Sequence, residues 1–264
     1  MSDKGWALIL GASSGFGGAT AVELARNGFD IFGVHLDLRH TLPAAQAVIK
    51  AIEDEGRRAV YFNVNAADEG KRAGVIDAIV KETAVDGSFV RVLMHSLAFG
   101  ALLPTIADDA KSALNQRQME MTIDVMGNSL IYWAQDLASH GLLRKGSRIF
   151  AMTSSGSTRV IRSYGAVSAA KAALEAHIRQ LAVELAPLGV TANAIRAGVT
   201  DTPALRRIPE GPALLERVRE ANPGGRATTP EDVAKAIAVF TDERLQWMTG
   251  NVIGVDGGEE ITLV

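Results

Sequence analysis

A tyrosine and a lysine in the segment SYGAVSAAKAALEA (163–176) are spaced so that they can act together. Tyr164 and Lys171 lie seven positions apart in a stretch that predicts a helix. Steps of four and of seven residues both return a side chain to nearly the same helix face. Seven residues advance about 10.5 Å along the axis, however, whereas four advance about 6 Å. The seven-residue spacing places a phenol, which can donate a proton, on the same helix face as a cationic amine. The two groups lie farther apart than a four-residue spacing would place them.

Each of the two residues also has a structural interpretation. Tyr164 could pack its ring on the sheet with its hydroxyl in water, and Lys171 could extend along the surface to solvent. Lys171, however, lies among small residues in SAAKAALEA, and the first carboxylate near it is Glu175, one turn further along. The small residues leave room for a ligand, which favours the functional interpretation of both residues.

A glycine-rich turn lies between the first predicted strand and the first predicted helix. The sequence GASSGFG contains Gly11, Gly15 and Gly17, and we call residues 11–17 the phosphate turn. Glycines at this point let backbone N–H groups approach a pyrophosphate, and the helix N-terminus favours its negative charge. The alternative is a turn that only permits tight packing of strand and helix. The position between strand and helix predicts a dinucleotide site.

The end of the second predicted strand carries two opposing signals about the adenosine ribose. In GVHLDLRHT, Asp37 could accept hydrogen bonds from both ribose hydroxyls, as in NAD(H) sites, whereas Arg39 could hold the extra phosphate of NADP(H). Asp37 lies slightly beyond the usual position, which is occupied by His35. Both residues could also be solvated loop charges, so the sequence leaves the choice between NADH and NADPH open.

The elements that must position these residues alternate between short strands and longer helices. Nearly continuous apolar runs are typical of parallel strands that are covered on both faces, and the intervening segments are long enough for helical crossovers. We therefore predict an α/β, Rossmann-type, doubly wound parallel sheet of about seven strands in a three-layer αβα domain. The predicted strands cover 6–10, 30–34, 59–64, 90–95, 147–152, 191–195 and 251–255, and the helices 17–27, 42–55, 68–84, 111–140, 164–187 and 230–242.

The composition narrows the function classes. The chain has 264 residues without a Pro/Ser-rich linker, which predicts one domain (1–264). Its net charge of −3 is too small to indicate nucleic acid or an anionic membrane as a partner. It has no cysteine and only scattered histidines, so we predict no metal site. No secretory signal or membrane span is recognisable at the start, and we expect a cytoplasmic location.

Several motifs together resemble the short-chain dehydrogenase/reductase family over essentially the whole chain. Besides Tyr164, Lys171 and the phosphate turn, they are TSSGS (153–157), HSLAFG (95–100), GVTDT (198–202), GRATTPEDVA (225–234) and TGNVIGVDGG (249–258). The resemblance implies that Lys171 binds the nicotinamide ribose of NAD(P)H and lowers the pKa of Tyr164, which exchanges the proton. With the residues discussed above, the predicted cofactor-binding residues are Gly11, Ser13, Ser14, Gly15, Phe16, Gly17, Asp37, Arg39, Asn63, Val64, Ser96, Leu97, Ala98, Lys171, Gly198, Val199 and Thr202.

The spacing between tyrosine and lysine is similar to that of bacterial enoyl-acyl-carrier-protein reductases. The more usual spacing of the family would put the tyrosine at Val167, which cannot donate a proton. When an enoyl thioester is reduced, hydride goes to the β-carbon while charge develops on the carbonyl oxygen several bonds away, which suits the longer spacing. HSLAF (95–99), DTPAL (201–205) and VDGGEEITLV (255–264) also resemble this group, specifically the subgroup with Ser154 in place of a second tyrosine. Ser154 is then implied to bind the thioester oxygen, or else to bond only a strand-end backbone group.

Two positions depart from the family pattern and keep other functions open. Met126 occupies the helix position of an asparagine that feeds a proton relay in many members, and Ser96 replaces an asparagine of the cofactor loop. One alternative is a carbonyl reductase or alcohol dehydrogenase, because the substrate loop decides specificity. Another is a catalytically silent dinucleotide sensor. His95 is expected to be a satisfied core or loop histidine.

The region near 199–228 and the long helices predict a substrate cover and an assembly. The Pro/Gly-rich stretch 208–230 interrupts the alternation of strands and helices, and loops or short helices there would suit a mobile cover. The expected substrate is an acyl thioester, carried by acyl carrier protein or coenzyme A. The helices at 111–140 and 164–187 carry excess apolar residues, so we expect a homotetramer or homodimer.

Overall fold

The computed structural model describes residues 4–208 and 210–262, which form a sheet of seven parallel strands. The strand order is β3-β2-β1-β4-β5-β6-β7, which confirms the predicted doubly wound α/β fold. Each predicted strand is present, with its ends shifted by at most two residues. The strands are β1 (Trp6–Leu10), β2 (Asp30–His35), β3 (Ala59–Asn63), β4 (Val90–His95), β5 (Arg148–Thr153), β6 (Thr191–Ala197) and β7 (Val252–Val255).

Helices cover both faces of the sheet and bury its apolar side chains in two separate cores. One core lies under α3, α5 and α6, and the other under α1, α2 and α8. The helices are α1 (Gly15–Arg26), α2 (Leu42–Asp54), α3 (Glu69–Ala84), α4 (Gln116–Ile123), α5 (Ser129–Ser139), α6 (Gly165–Glu184), α7 (Gly211–Ala221) and α8 (Pro230–Phe240). Over residues 4–208 and 210–262, no helix is both long and apolar enough to cross a bilayer.

The region predicted as one helix over 111–140 is divided into several elements. α4 begins at Gln116, because the side chains of Asn115 and Gln118 form a reciprocal capping box. A π-helical segment, Asp124–Asn128, then separates α4 from α5. Such segments are uncommon and often occur at functional sites. This one packs against α6, the helix that carries Lys171.

The segment near 199–228 contains short helices, one of the two forms that the sequence predicts. A 3₁₀ turn spans Leu205–Arg207, and α7 buries Leu215 and Val218 on its inner side. Pro209 lies outside the described residues, as do Leu263 and Val264 of the C-terminal motif. The role of this segment as a substrate cover stays a prediction.

The candidate site lies where the strand order reverses. β1 pairs with β2 on one side and with β4 on the other, so the loops that follow β1 and β4 run in opposite directions. This divergence opens a crevice at the carboxyl ends of the strands, where α/β proteins bind ligands. Gly11 follows β1, Ser96 follows β4 and Ser154 follows β5. Three predicted site segments therefore meet at this edge.

Candidate active site

Only glycine fits at the closest points of the phosphate turn. Gly11 has φ +90°, and its N–H donates to the Val34 carbonyl at 2.8 Å. A Cβ on Gly11 would lie 2.4 Å from the Ser96 carbonyl oxygen, and one on Gly17 would lie 2.1 Å from the Gly11 carbonyl oxygen. The turn is therefore pressed against the end of β4 and against α1, so that a ligand can approach bare backbone.

The first turn of α1 has no side-chain cap. Ser14 is the N-cap residue with an extended backbone, but its hydroxyl makes no capping hydrogen bond. The first N–H groups of a helix need partners, and the helix dipole favours an anion there. The bare turn and the uncapped helix fit a dinucleotide pyrophosphate, which the backbone of Ser13, Ser14, Gly15, Phe16 and Gly17 would hold.

Asp37 is held by several donors just beyond β2. Its Oδ2 lies 2.8 Å from His35 Nδ1, and its side chain is only 12% exposed. Burial opposes ionisation, but hydrogen bonds with Thr41, Ser13 and His35 outweigh it and bring the pKa of Asp37 below its ordinary value. The interpretation as a solvated loop charge is therefore wrong for Asp37, whose contact with Ser13 joins it to the phosphate turn.

Asn63 connects the ends of β2 and β3. Its side chain accepts from the Asp37 N–H and donates to the Asp37 carbonyl, both at 2.9 Å. Val64 donates its N–H to the His35 carbonyl at 2.8 Å, which places it beside the same strand end. Arg39 is exposed and forms no ion pair with another described residue. Asp37, Asn63 and Val64 are thus brought together, whereas Arg39 projects from them.

The loop after β4 borders the phosphate turn. Ser96 donates its N–H to the Leu10 carbonyl at 2.8 Å, and its own carbonyl lies against Gly11. Leu97 packs on a small apolar cluster, whereas Ala98 is exposed. The three residues therefore lie beside the crevice, and their binding of the cofactor stays a prediction.

Tyr164 is fixed at the N-terminus of α6 by the backbone around it. It is the N-cap residue, and its ring lies so close to Gly156 that a Cβ there would be 2.7 Å from Tyr164 Cε1. The preceding Ser163 has φ +57°, in the left-handed region that residues other than glycine seldom adopt. Gly156 and Ser163 thus determine where the phenol lies.

Burial has the largest effect on the acidity of Tyr164. It raises the pKa of the phenol, while a hydrogen bond with the Ser154 side chain acts in the lowering direction. The same Ser154 Oγ accepts from the Gly156 N–H at 3.1 Å, as the interpretation of a backbone-bonded serine expects, whereas binding of the thioester oxygen stays a prediction. The resemblance implied that Lys171 lowers the pKa of Tyr164. Instead, burial prevails, and the phenol keeps its proton at neutral pH.

Lys171 is buried, which contradicts the interpretation as a surface lysine. Its side chain lies in the protein interior, and Nζ donates to the Met152 carbonyl at 2.8 Å. Burial lowers the pKa of Lys171 to about 8, although the negative charge of Glu175 acts in the opposite direction. The amine is therefore mostly cationic at neutral pH.

An apolar cluster surrounds the ring of Tyr164. Met126 is 4% exposed, and Val167 at the alternative tyrosine position is equally buried. Asp124, which precedes Met126 by two residues, accepts a hydrogen bond from the Tyr132 hydroxyl at 2.8 Å. The cluster consists of Val125, Met126, Val167 and Ala170, with Ala67, Leu97, Leu102, Met121, Ile123 and Tyr164 packed against it.

The loop after β6 reaches the phosphate turn through Thr202. A Cβ on Gly15 would lie 3.7 Å from Thr202 Cγ2, which is ordinary contact. At the start of the loop, a Cβ on Gly198 would lie 2.4 Å from Thr228 Oγ1. The N–H of Val199 donates to a Glu259 carboxylate oxygen at 2.9 Å. The structure therefore brings Thr202 to the predicted pyrophosphate site. Gly198 and Val199 contact Thr228 and Glu259 instead.

Several residues that shape the site are absent from the sequence-based prediction. His35 bonds Asp37, Glu175 acts on Lys171, and Gly156 makes room for the Tyr164 ring. Glu175 had a recognisable signal, because it lies four residues after Lys171 and so on the same face of α6. Gly156 and Glu259 had none, since their contacts with Tyr164 and Val199 follow neither helix nor strand periodicity.

Comparison with known proteins decides the family. A sequence profile described as enoyl-(acyl carrier protein) reductase matches residues 11–260. The chain belongs to the short-chain dehydrogenase/reductase family. As a member of it, the chain is an oxidoreductase that uses NAD(P)H, which confirms the predicted cofactor class.

The relatives within the family carry out different reductions. A 1-cyclohexenylcarbonyl-CoA reductase of Streptomyces collinus is 27% identical and covers 96% of this chain and 86% of its own. A 3-oxoacyl-[acyl-carrier-protein] reductase of Aggregatibacter actinomycetemcomitans is 28% identical, and the match covers 95% of this chain and 97% of the relative. A short-chain dehydrogenase of Burkholderia cenocepacia in complex with NADP has a TM-score of 0.83 at 27% identity and covers 98% of both chains.

Gly17→Ala should weaken NADH binding at least tenfold and lower Tm. The new Cβ would lie 2.1 Å from the Gly11 carbonyl oxygen, so α1 must move away from the phosphate turn. Cofactor fluorescence titration and thermal unfolding measure the two effects. Gly74→Ala is the control, because the Cβ there meets no atom within 4 Å. Unchanged affinity of Gly17→Ala would show that the turn does not hold the cofactor.

Proposed function

We propose that the chain reduces the carbon–carbon double bond of enoyl thioesters with NAD(P)H. The observation that carries the proposal is the placement of Tyr164 at the N-cap of α6, seven residues before buried Lys171. Val167, at the position that would serve a carbonyl reductase, is buried in the apolar cluster. Of positions 164 and 167, only position 164 therefore carries a proton donor, and it lies farther from Lys171.

Tyr164, Ser154 and Lys171 each have a separate role in the proposed reaction. Bound NAD(P)H supplies a hydride, which the β-carbon of the substrate accepts. Tyr164, kept protonated by burial, donates a hydrogen bond and then a proton to the carbonyl oxygen, where negative charge develops. The resulting enol becomes the saturated thioester when this proton passes to the α-carbon, and solvent returns a proton to the phenolate. Ser154, whose side chain interacts with the phenol, orients it. The cationic Lys171 holds the ribose and stabilises negative charge on the phenol oxygen after proton transfer.

Relatives support both this reaction and its alternative. The named substrate of the Streptomyces collinus relative carries a double bond conjugated to a thioester, the chemistry proposed here. The relative that acts as a 3-oxoacyl reductase favours reduction of a ketone instead. Carbonyl reduction is therefore the second candidate function.

The two candidates are separated by offering crotonyl-CoA and acetoacetyl-CoA in parallel and following oxidation of the reduced cofactor. We expect crotonyl-CoA to be reduced at least tenfold faster in kcat/KM, and oxidation with acetoacetyl-CoA alone would refute the proposal. Each substrate is tested with NADH and with NADPH. Asp37 is ionised beside the phosphate turn and would repel a 2′-phosphate, so NADH should be preferred. Tight cofactor binding without turnover of either substrate would indicate a sensor.

The thioester is carried by acyl carrier protein or coenzyme A, and the segment near 199–228 covers it. Exposed apolar side chains support assembly into a homodimer or homotetramer, among them Val239 of α8 and Val252 of the edge strand β7. Cytoplasmic location stays a prediction.

A further inference from the structure

The carboxylate of Glu175 joins the end of β5 to α6. Its Oε1 accepts a hydrogen bond from Thr153 Oγ1 at 2.6 Å, a short distance typical of a charged acceptor. Thr153 is buried and ends β5, directly before Ser154. Glu175 lies one helical turn after Lys171. One carboxylate thus lies between the strand that carries the serine and the helix that carries the phenol and the amine.

Glu175 is the anion that acts on the buried ammonium group. Among the charges that influence Lys171, its carboxylate is the one that favours the cationic form. Tyr164 is neutral, because burial raises its pKa. His95 on β4 is also neutral, since burial, followed by the charge of Lys171, lowers its pKa to about 3. No other group near Lys171 in the described part of the chain therefore supplies negative charge.

The other charged groups on elements packed around α6 are engaged elsewhere. His177, on α6 itself, bonds Asn128 at 3.1 Å. Arg117 on α4 is exposed, and Arg148 is at the opposite end of β5. The remaining charged groups are Asp124 with Tyr132, Glu120 with Gln116, Asp136 with Arg72, Glu184 with Gln180, Arg196 with Glu260, and the exposed Arg179.

His95 is not the satisfied core histidine that the sequence predicts. Ser129 Oγ donates to the Val125 carbonyl at 2.7 Å, so it accepts from His95 Nε2 at 2.9 Å. That bond puts the proton on Nε2 and leaves Nδ1 buried without a hydrogen-bond partner among the described residues. The imidazole therefore provides neither charge nor a donor toward Lys171, which leaves the electrostatic role to Glu175.

We propose that Glu175 is a positioning residue that keeps Lys171 cationic at working pH and fastens the end of β5 to α6. The inference rests on the proposed function, in which the cation holds the ribose. Without the carboxylate, burial alone would act on the ammonium group, and its proton would be lost at a lower pH. The hydrogen bond to Thr153 would in addition no longer be charge-assisted.

The direct test measures the titration of Lys171 by NMR of lysine labelled with ¹³C at Cε. The resonance is assigned by its loss in Lys171→Met. Glu175→Gln keeps the shape of the side chain and an acceptor for Thr153 but removes the charge, and its titration midpoint should fall by about one pH unit. Glu175→Asp, which restores the charge, should return most of that difference. Thr153→Val, which replaces the hydroxyl by a methyl group, should leave the midpoint in place and lower Tm.

The kinetic test follows kcat/KM for the enoyl thioester against pH. The active cation is present below its pKa, so lowering that pKa moves the alkaline loss of activity to lower pH. Glu175→Gln should lose about fivefold at pH 8, where the amine changes from half to about one tenth protonated, and less than twofold at pH 6. A merely structural role would reduce activity equally at both values.

The outcomes distinguish this inference from the proposed function. An unmoved NMR midpoint in Glu175→Gln overturns the positioning role, even if the enzyme reduces enoyl thioesters as proposed. Equal falls of the midpoint in Glu175→Gln and Thr153→Val overturn it too, because the hydrogen bond rather than the charge would then act. A lowered midpoint with an unchanged pH profile supports the effect on Lys171 and instead refutes the role of its charge in catalysis.

Discussion

Tyr164→Phe should bind NADH normally and lose at least tenfold in turnover of an enoyl thioester. The phenyl ring can keep its contact with Gly156, so the backbone and the cofactor site stay in place. What disappears is the hydroxyl, which burial keeps protonated and which Ser154 contacts. General acids commonly contribute about 10²- to 10⁴-fold, so a tenfold loss is a conservative bound.

Steady-state kinetics and cofactor fluorescence titration measure the two parts of this prediction. Tyr61→Phe is the matched control, because the Tyr61 hydroxyl is buried without a hydrogen-bond partner among the described residues, and Tyr61 lies on β3 rather than on α6. Its turnover should equal that of the unmodified enzyme. Turnover of Tyr164→Phe at the same level would refute the role of the phenol as proton donor.

Lys171→Met should reduce kcat/KM about a hundredfold while making the folded protein more stable at pH 7. Loss of one preorganised hydrogen-bond donor commonly costs about 10²- to 10³-fold in rate. Burial lowers the pKa of this amine from 10.5 to about 8, which corresponds to about 3 kcal/mol spent on keeping it charged. Methionine removes that penalty but leaves the Met152 carbonyl without its donor, at about 1 kcal/mol. We therefore expect the free energy of unfolding to rise by about 2 kcal/mol.

The stability gain should decrease with rising pH. Because the pKa of Lys171 is lower in the folded than in the unfolded chain, the unfolded chain binds more protons between about pH 8 and 10.5. The stability of the unmodified enzyme thus rises through this window, while Lys171→Met lacks that contribution. Denaturant unfolding at pH 7 and 9.5 measures the difference, with exposed Lys235→Met as the control. A gain that is independent of pH would contradict the assignment to the buried ammonium group.

The strands and the phosphate turn were predictable because their signals are local. Buried parallel strands are continuous apolar runs, and all seven appear within two residues of their predicted bounds. The π-helical segment at Asp124–Asn128 was not predictable, since its apolar residues continue the periodicity of the flanking helices. The helix predicted from residue 111 begins instead at Gln116, because the capping box of Asn115 and Gln118 starts it there.

The sequence by itself determined the fold class, the phosphate turn and the seven-residue separation of Tyr164 and Lys171. These features depend on periodicity, on missing Cβ atoms and on helix geometry, all of which neighbouring residues set. Tertiary structure alone decided that the amine is buried, that the phenol is neutral, and that Glu175 bonds Thr153 across 22 positions. Desolvation and charge depend on distances between elements that only the folded chain brings together, so they have no local signal in the sequence.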